Sequence, residues 1–173
     1  ANAPAALSAL WGSIFTVMSF LTTTGFESAD WQGARAWSGL STPGLILIGL
    51  SLVGGGVATT AGGVKLLRIY ALYKHSTREM DRLVHPSSVG GAGTVARRLR
   101  REGAQLAWIF FMLFVLVLAL ISLALSLTGL DFESATVLAV SALSTTGPLA
   151  NVAGEVPISY TTLGDAAKLI LAS

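Results

Sequence analysis

The 173-residue chain has no cysteine, two histidines and few charges: Asp, Glu, Lys and Arg together make up 12% of it. Without cysteine there is no disulfide, no thiolate–metal site and no cysteine nucleophile. His75 and His85 lie among basic residues, with no carboxylates grouped around them as a metal centre would need. A soluble domain carries about 25% charged residues. Half that share, with 53% hydrophobic residues and a mean hydropathy of +0.70, predicts a membrane protein. No side chain before Glu27 is charged, so the positively charged start of a secretory signal is missing and none is expected. Beginning on Ala1-Asn2-Ala3 and ending inside a helical pattern at Leu171-Ala172-Ser173, the chain reads as part of something larger.

Residues 106–127 form a run of 22 without charge, about 33 Å as a helix and enough to cross a bilayer. Residues 43–64 are also 22 uncharged residues, but Gly54, Gly55, Gly56, Gly62 and Gly63 interrupt them. Each interior glycine costs a helix about 1 kcal/mol relative to alanine, so the backbone is expected to open here. Irregular backbone at membrane depth survives only when buried in protein or lining a watery cavity. The alternative is a small-residue face for close helix packing. A P-loop is excluded because Lys65 is wrongly placed and is followed by Leu66 instead of a hydroxyl. The dinucleotide pattern fails at Thr59, where its third glycine should stand.

Nine of the eleven Lys and Arg residues lie between Lys65 and Arg101, and Glu27, Asp30, Asp131, Glu133 and Glu155 lie outside that stretch. By the positive-inside rule the basic connection is cytoplasmic and the acidic segments are on the outer side. Lys65 to Val84 is expected to continue as helix, with a turn at 86–94 and a basic lead into the long span. A basic run beside a membrane helix is explained by lipid headgroups and topology, so no nucleic-acid partner is expected.

The most specific signal is a repeat. Ser19-Phe20-Leu21-Thr22-Thr23-Thr24-Gly25 recurs 122 residues later as Ser141-Ala142-Leu143-Ser144-Thr145-Thr146-Gly147. Each copy closes an apolar stretch of about a dozen residues, short of the roughly 20 a span needs. With the orientation above, each copy enters from the outside and returns there, as a re-entrant pore loop does. Backbone carbonyls of such a turn can replace the water shell of a monovalent cation without adding full charges that would trap it. Glycine's tolerance of positive φ suits Gly25 and Gly147, and the C-terminal ends of the short helices would favour a cation. The competing reading is that Thr-Thr-Gly is only a helix C-cap.

Thr22-Thr23-Thr24-Gly25-Phe26, the stretch from Gly54 through Lys65 to Arg68, and Ser144-Thr145-Thr146-Gly147-Pro148 resemble the Trk/Ktr/HKT potassium transporter superfamily, most closely its bacterial Trk membrane subunits. The resemblance implies an all-α membrane protein built of helix–pore loop–helix units around a potassium-channel-like pore, here an incomplete set. It implies a third pore repeat over 1–64, with pore helix 9–21, filter 22–26 and broken inner helix 43–64. A cytoplasmic connection over 65–104 would follow. The fourth repeat, 105–173, would comprise outer helix 106–127, pore helix 131–143, filter 144–148 and the start of an inner helix at 162–173. Thr23, Thr24, Gly25, Thr145, Thr146 and Gly147 would hold potassium, the transported ion, through their carbonyls, with no covalent cofactor. Gly54, Gly55, Gly56, Thr59, Thr60, Gly62 and Gly63 would form an intramembrane gate.

The implied function is potassium uptake across the bacterial inner membrane, without enzymatic chemistry. The implied partners are the lipid bilayer, the remaining repeats of the polypeptide, a second copy in a homodimer and a cytosolic nucleotide-binding regulatory subunit. A sodium-permeable or sodium-coupled relative of the same fold, and a structural membrane scaffold without transport, are the alternatives.

Overall fold

A computed structural model of the chain describes residues 3–39, 42–56, 58–85, 94–154 and 157–172. Most of the turn expected at 86–94, and Glu155, lie outside the described residues. The elements are helical: α1 (Ala3–Leu21), α2 (Trp31–Ser38), α3 (Pro43–Val53), α4 (Leu66–Val84), α5 (Thr94–Leu127), α6 (Phe132–Leu143), α7 (Leu149–Val152) and α8 (Asp165–Ala172). A single 3-10 turn, Tyr160–Thr162, precedes α8. Among the described residues there is no strand.

Several boundaries differ from the sequence reading. The first short helix starts at Ala3 instead of residue 9, because Pro4 is tolerated in a first turn and Ala3, Ala5 and Ala6 are strong helix formers. Its 19 residues reach about 28 Å, so length alone no longer separates it from a span. The outer loop after the first turn contains a helix, α2, which ends at Gly39 in a left-handed conformation (φ 64°). The basic lead is not separate from the long span: both belong to α5, 34 residues without a break. The segment 43–64, read from the sequence as a broken inner helix, is interrupted after Val53. Its helix begins with Pro43 in the first turn and ends at Val53, and helix resumes only at Leu66. Residue 162, the expected start of the last inner helix, closes the 3-10 turn, and Leu163 is extended before α8 begins at Asp165.

After Leu21 the chain doubles back along α1. The Thr24 and Gly25 amides donate to Ser19 O, and the Ser28 amide donates to Thr16 Oγ1 at 3.2 Å. Further along, a Cβ on Gly12 would lie 3.0 Å from Asp30. Helix and return segment thus run side by side in opposite directions, and both ends of this hairpin lie on one side of the molecule.

Two apolar clusters hold the helices together. Ala9, Phe20, Trp31, Ala34, Leu47, Val140 and Leu149 join α1, α2, α3, α6 and α7. Leu125, Ala135, Leu138, Ala139, Ala150, Leu163 and Ala167 join α5, α6, α7 and α8. The short α6 is buried on all sides at Val137, Leu138, Ala139, Val140 and Ser141. By contrast α5 exposes Leu106, Ile109, Leu113, Leu116, Leu120 and Leu123. A helix apolar all round belongs in a core or in lipid, and these two divide the roles.

Asp131 caps α6. Its carboxylate accepts a hydrogen bond from the Ser134 amide at 3.0 Å, which lowers its pKa. A lowered folded-state pKa contributes stability that is present above the unfolded value and disappears as pH falls through the folded one. Replacing Asp131 by Ala should therefore lower the melting temperature at neutral pH, and the gap to wild type should close with progressive acidification. Thermal melts of the detergent-solubilised protein across a pH series check this, with Asp131→Asn, which keeps a capping oxygen, melting close to wild type at neutral pH.

Candidate functional site

The two copies of the repeated string fold into the same helix-ending turn, with matching backbone bonds over their first three amides. The Thr22 amide donates to Met18 O, Thr23 to Phe20 O and Thr24 to Ser19 O, at 2.9, 3.2 and 2.9 Å. In the second copy Ser144 donates to Val140 O, Thr145 to Ala142 O and Thr146 to Ser141 O, at 2.8, 3.1 and 2.9 Å. The hydroxyls match as well. Thr22 and Ser144 each donate back to the carbonyl four residues earlier, at 2.8 and 2.7 Å, and each sits 3.1 Å from the hydroxyl two residues on. This is a Schellman cap, which satisfies the last carbonyls of α1 and α6.

A cap alone does not account for the residues used. The left-handed position of a Schellman cap ordinarily holds glycine, yet here it holds Thr23 (φ 58°) and Thr145 (φ 56°). A β-branched residue at positive φ is an outlier, of the kind that clusters at functional sites and costs about 1–3 kcal/mol. The glycine comes two residues later. Gly25 is itself left-handed (φ 86°), but Gly147 does not share that conformation, contrary to the sequence reading. What Gly25 does provide is proximity: a Cβ there would lie 2.9 Å from Thr146 Cγ2 and 3.0 Å from Pro148 Cδ. The two turns are direct neighbours.

The glycine-rich segment closes against both. Its neck is held by the Val64 amide on Leu52 O and the Leu66 amide on Gly55 O, at 2.9 and 3.2 Å, with Gly54 and Gly63 packed backbone to backbone inside it. Beyond the neck, Gly56 O accepts from the amide and hydroxyl of Thr59, and Thr60 is exposed. Lys65 Nζ reaches back over the loop to Thr59 O at 2.9 Å. Gly62 is the point of contact. Its amide donates to Thr23 Oγ1 at 3.0 Å, and a Cβ on it would collide with the backbone carbonyl of Ser144. The structure thus brings together both turns and the loop that the sequence singled out.

The carbonyls of the turns divide into two sets. Among the described residues nothing donates to the carbonyls of Thr23, Thr24, Gly25 and Thr145. Those of Thr146 and Gly147 accept from Ser141 Oγ at 2.9 and 3.2 Å and from the Leu149 and Ala150 amides at 3.0 and 3.3 Å, and Gly147 O also accepts from Tyr160 OH at 3.0 Å. No charged side chain lies in either turn. Such an arrangement offers uncharged oxygens to a cation and little to an anion.

Residues 2–172 match the family described as TrkH, cation transport protein. The chain belongs to the TrkH family. It is similar to the Trk system potassium uptake protein TrkH of Escherichia coli K12, with 34% identity over 166 residues, 96% of this chain and 33% of that protein. It is likewise similar to TrkI of Halomonas elongata, with 32% identity over 167 residues covering 96% of this chain and 33% of that protein. Among solved structures it resembles the potassium transporter TrkH from Vibrio parahaemolyticus, at a TM-score of 0.71 and 29% identity over 92% of this chain and 32% of that one. The chain thus spans about a third of the length of the TrkH proteins it matches. It is an all-α, multi-pass protein of the bacterial inner membrane.

In this TrkH-family chain the sequence reading missed Ser141 as a bonding group, although a serine stands at the same place in both copies of the repeat. Tyr160 carried no signal at all. Left-handed Thr145 is exposed, and its side chain makes no hydrogen bond among the described residues. Thr145→Gly should therefore stabilise the fold by about 0.5–1 kcal/mol, the left-handed penalty less the added freedom of the unfolded chain, while impairing ion discrimination. Paired thermal melts and ion-uptake assays on the full-length protein check both halves.

Proposed function

We propose that this chain forms half of a fourfold potassium-uptake pore, supplying its third and fourth repeats. In this reading Thr23, Thr24, Gly25, Thr145, Thr146 and Gly147 are two strands of a carbonyl-lined filter. The observation that carries the reading is the pair of left-handed threonines, in adjoining turns of one geometry, with free carbonyls beside them. A packing turn has no use for the strain. A ring of carbonyls does, because successive oxygens must face one axis.

The segment 54–63 is the proposed gate. Its support is Gly62, held against Thr23 on one side and Ser144 on the other, which seats the loop against both turns. Lys65 and the basic connection after it lie on the cytoplasmic side, where a nucleotide-binding regulatory subunit would dock. The remaining repeats of the polypeptide and a second copy in a homodimer complete the assembly.

In the full-length protein, Gly25→Ser should lower potassium-over-sodium uptake several-fold with expression unchanged, since its Cβ would press on Thr146 and Pro148. Relative uptake of the two ions in a transport-deficient strain measures this. An unchanged ratio removes the filter assignment, and a wild-type ratio favouring sodium makes the chain a sodium-permeable relative. Deleting residues 56–61, which leaves the neck intact, should raise potassium flux into proteoliposomes. Equal flux from a folded variant would assign the glycines to packing.

A further inference from the structure

The geometry points to Tyr160 as a positioning residue for the second filter strand, acting with Ser141 as a brace that sets ion discrimination. This rests on the filter reading above.

Tyr160 OH donates to Gly147 O at 3.0 Å and lies 2.9 Å from Ser141 Oγ. Ser141 Oγ in turn approaches Thr146 O at 2.9 Å and Gly147 O at 3.2 Å. Two hydroxyls thus join the backbone amides of Leu149 and Ala150 in fixing two successive peptide planes. With those planes held, the Thr145 carbonyl just before them has little freedom to rotate, and it is the one with no internal donor. The Leu149 and Ala150 amides donate to the same two carbonyls at 3.0 and 3.3 Å, so with two lone pairs per carbonyl oxygen Thr146 and Gly147 are fully occupied and the braced strand offers an ion the Thr145 carbonyl.

The tyrosine is itself anchored on both sides. The Ile158 amide donates to Ala150 O at 3.0 Å, Thr162 Oγ1 donates to Ser159 O at 2.8 Å, and Leu163 is buried against α5 and α6. The 3-10 turn between them presents the ring to the filter strand from outside the pore loop.

The first strand is the internal control. Ser19 stands where Ser141 stands in the repeat, but its buried hydroxyl has no hydrogen-bond partner among the described residues. The Thr24 and Gly25 carbonyls are correspondingly free of donors. The brace is thus no general property of the turn; it appears where a tyrosine reaches in. One strand is stiff and the other soft, and a filter that discriminates by carbonyl placement depends most on the stiff one.

Tyr160→Phe removes one hydroxyl and nothing else. In the full-length protein it should lower the potassium-over-sodium uptake ratio by about three- to tenfold, the scale of one lost hydrogen bond, with little change in thermal melting. Ser141→Ala should do the same, and the double variant should be no worse than the more severe single one, since both act through the same peptide planes. Ser19→Ala should leave the ratio alone. A melting temperature that falls while the ratio holds would make the tyrosine merely structural and overturn the inference. An unchanged ratio in Tyr160→Phe, beside a changed one in Gly25→Ser, would overturn the brace and leave the filter standing. Unchanged ratios in both would remove the two together.

Discussion

A peptide group inside a bilayer has no water to bond, so every amide and carbonyl there must find a partner in the protein or face a wet cavity. In the proposed reading, three non-helical segments of this chain meet that rule: 22–30, the described part of 54–65, and 144–148. Each is irregular, and none could exist alone in hydrocarbon. They solve the problem jointly. The two turns return their amides to the ends of α1 and α6, and the glycine loop closes its own neck and gives the Gly62 amide to Thr23. What is left over after this pairing is a small set of carbonyls. In the proposed reading this remainder serves the ion, because leaving it unpaired in hydrocarbon would cost several kcal/mol per group.

The surrounding helices follow from the same demand. The short α6 is wrapped on all sides so that its end can sit deep in the protein, and α5 shields one flank with an apolar surface turned to lipid. The small side chains in both clusters, Ala9, Ala34, Ala135, Ala139, Ala150 and Ala167, let backbones approach. Close approach is how helices associate where no hydrophobic drive separates protein from lipid.

Much of this was legible in the residues. The duplicated string announced two equivalent turns, and five glycines in ten residues announced a broken helix, because both signals are local. The conformational detail was not. Glycine's permissiveness suggested positive φ at Gly25 and Gly147; Gly25 takes it and Gly147 does not, and the cap position itself falls to Thr23 and Thr145, since the Schellman geometry counts from the helix end and not from the glycine. Helix α2 was overlooked although Asp30 and Gly39 bracket it, since it is only eight residues long and sits in a segment read as a loop. Tyr160 was invisible for a different reason: its partner is 13 residues away along an irregular path, and no pattern of spacing encodes such a contact.

The seat of Gly62 against Ser144 has a consequence for how the molecule is made. The two residues are 82 positions apart in the chain (144 − 62). At about 5–20 residues per second of synthesis, roughly 4 to 16 seconds separate their appearance. During that interval the first turn and the glycine loop have only each other, through Thr23. The first half can thus be threaded into the membrane before it is locked, and the arrival of the second turn sets the final fit of the first.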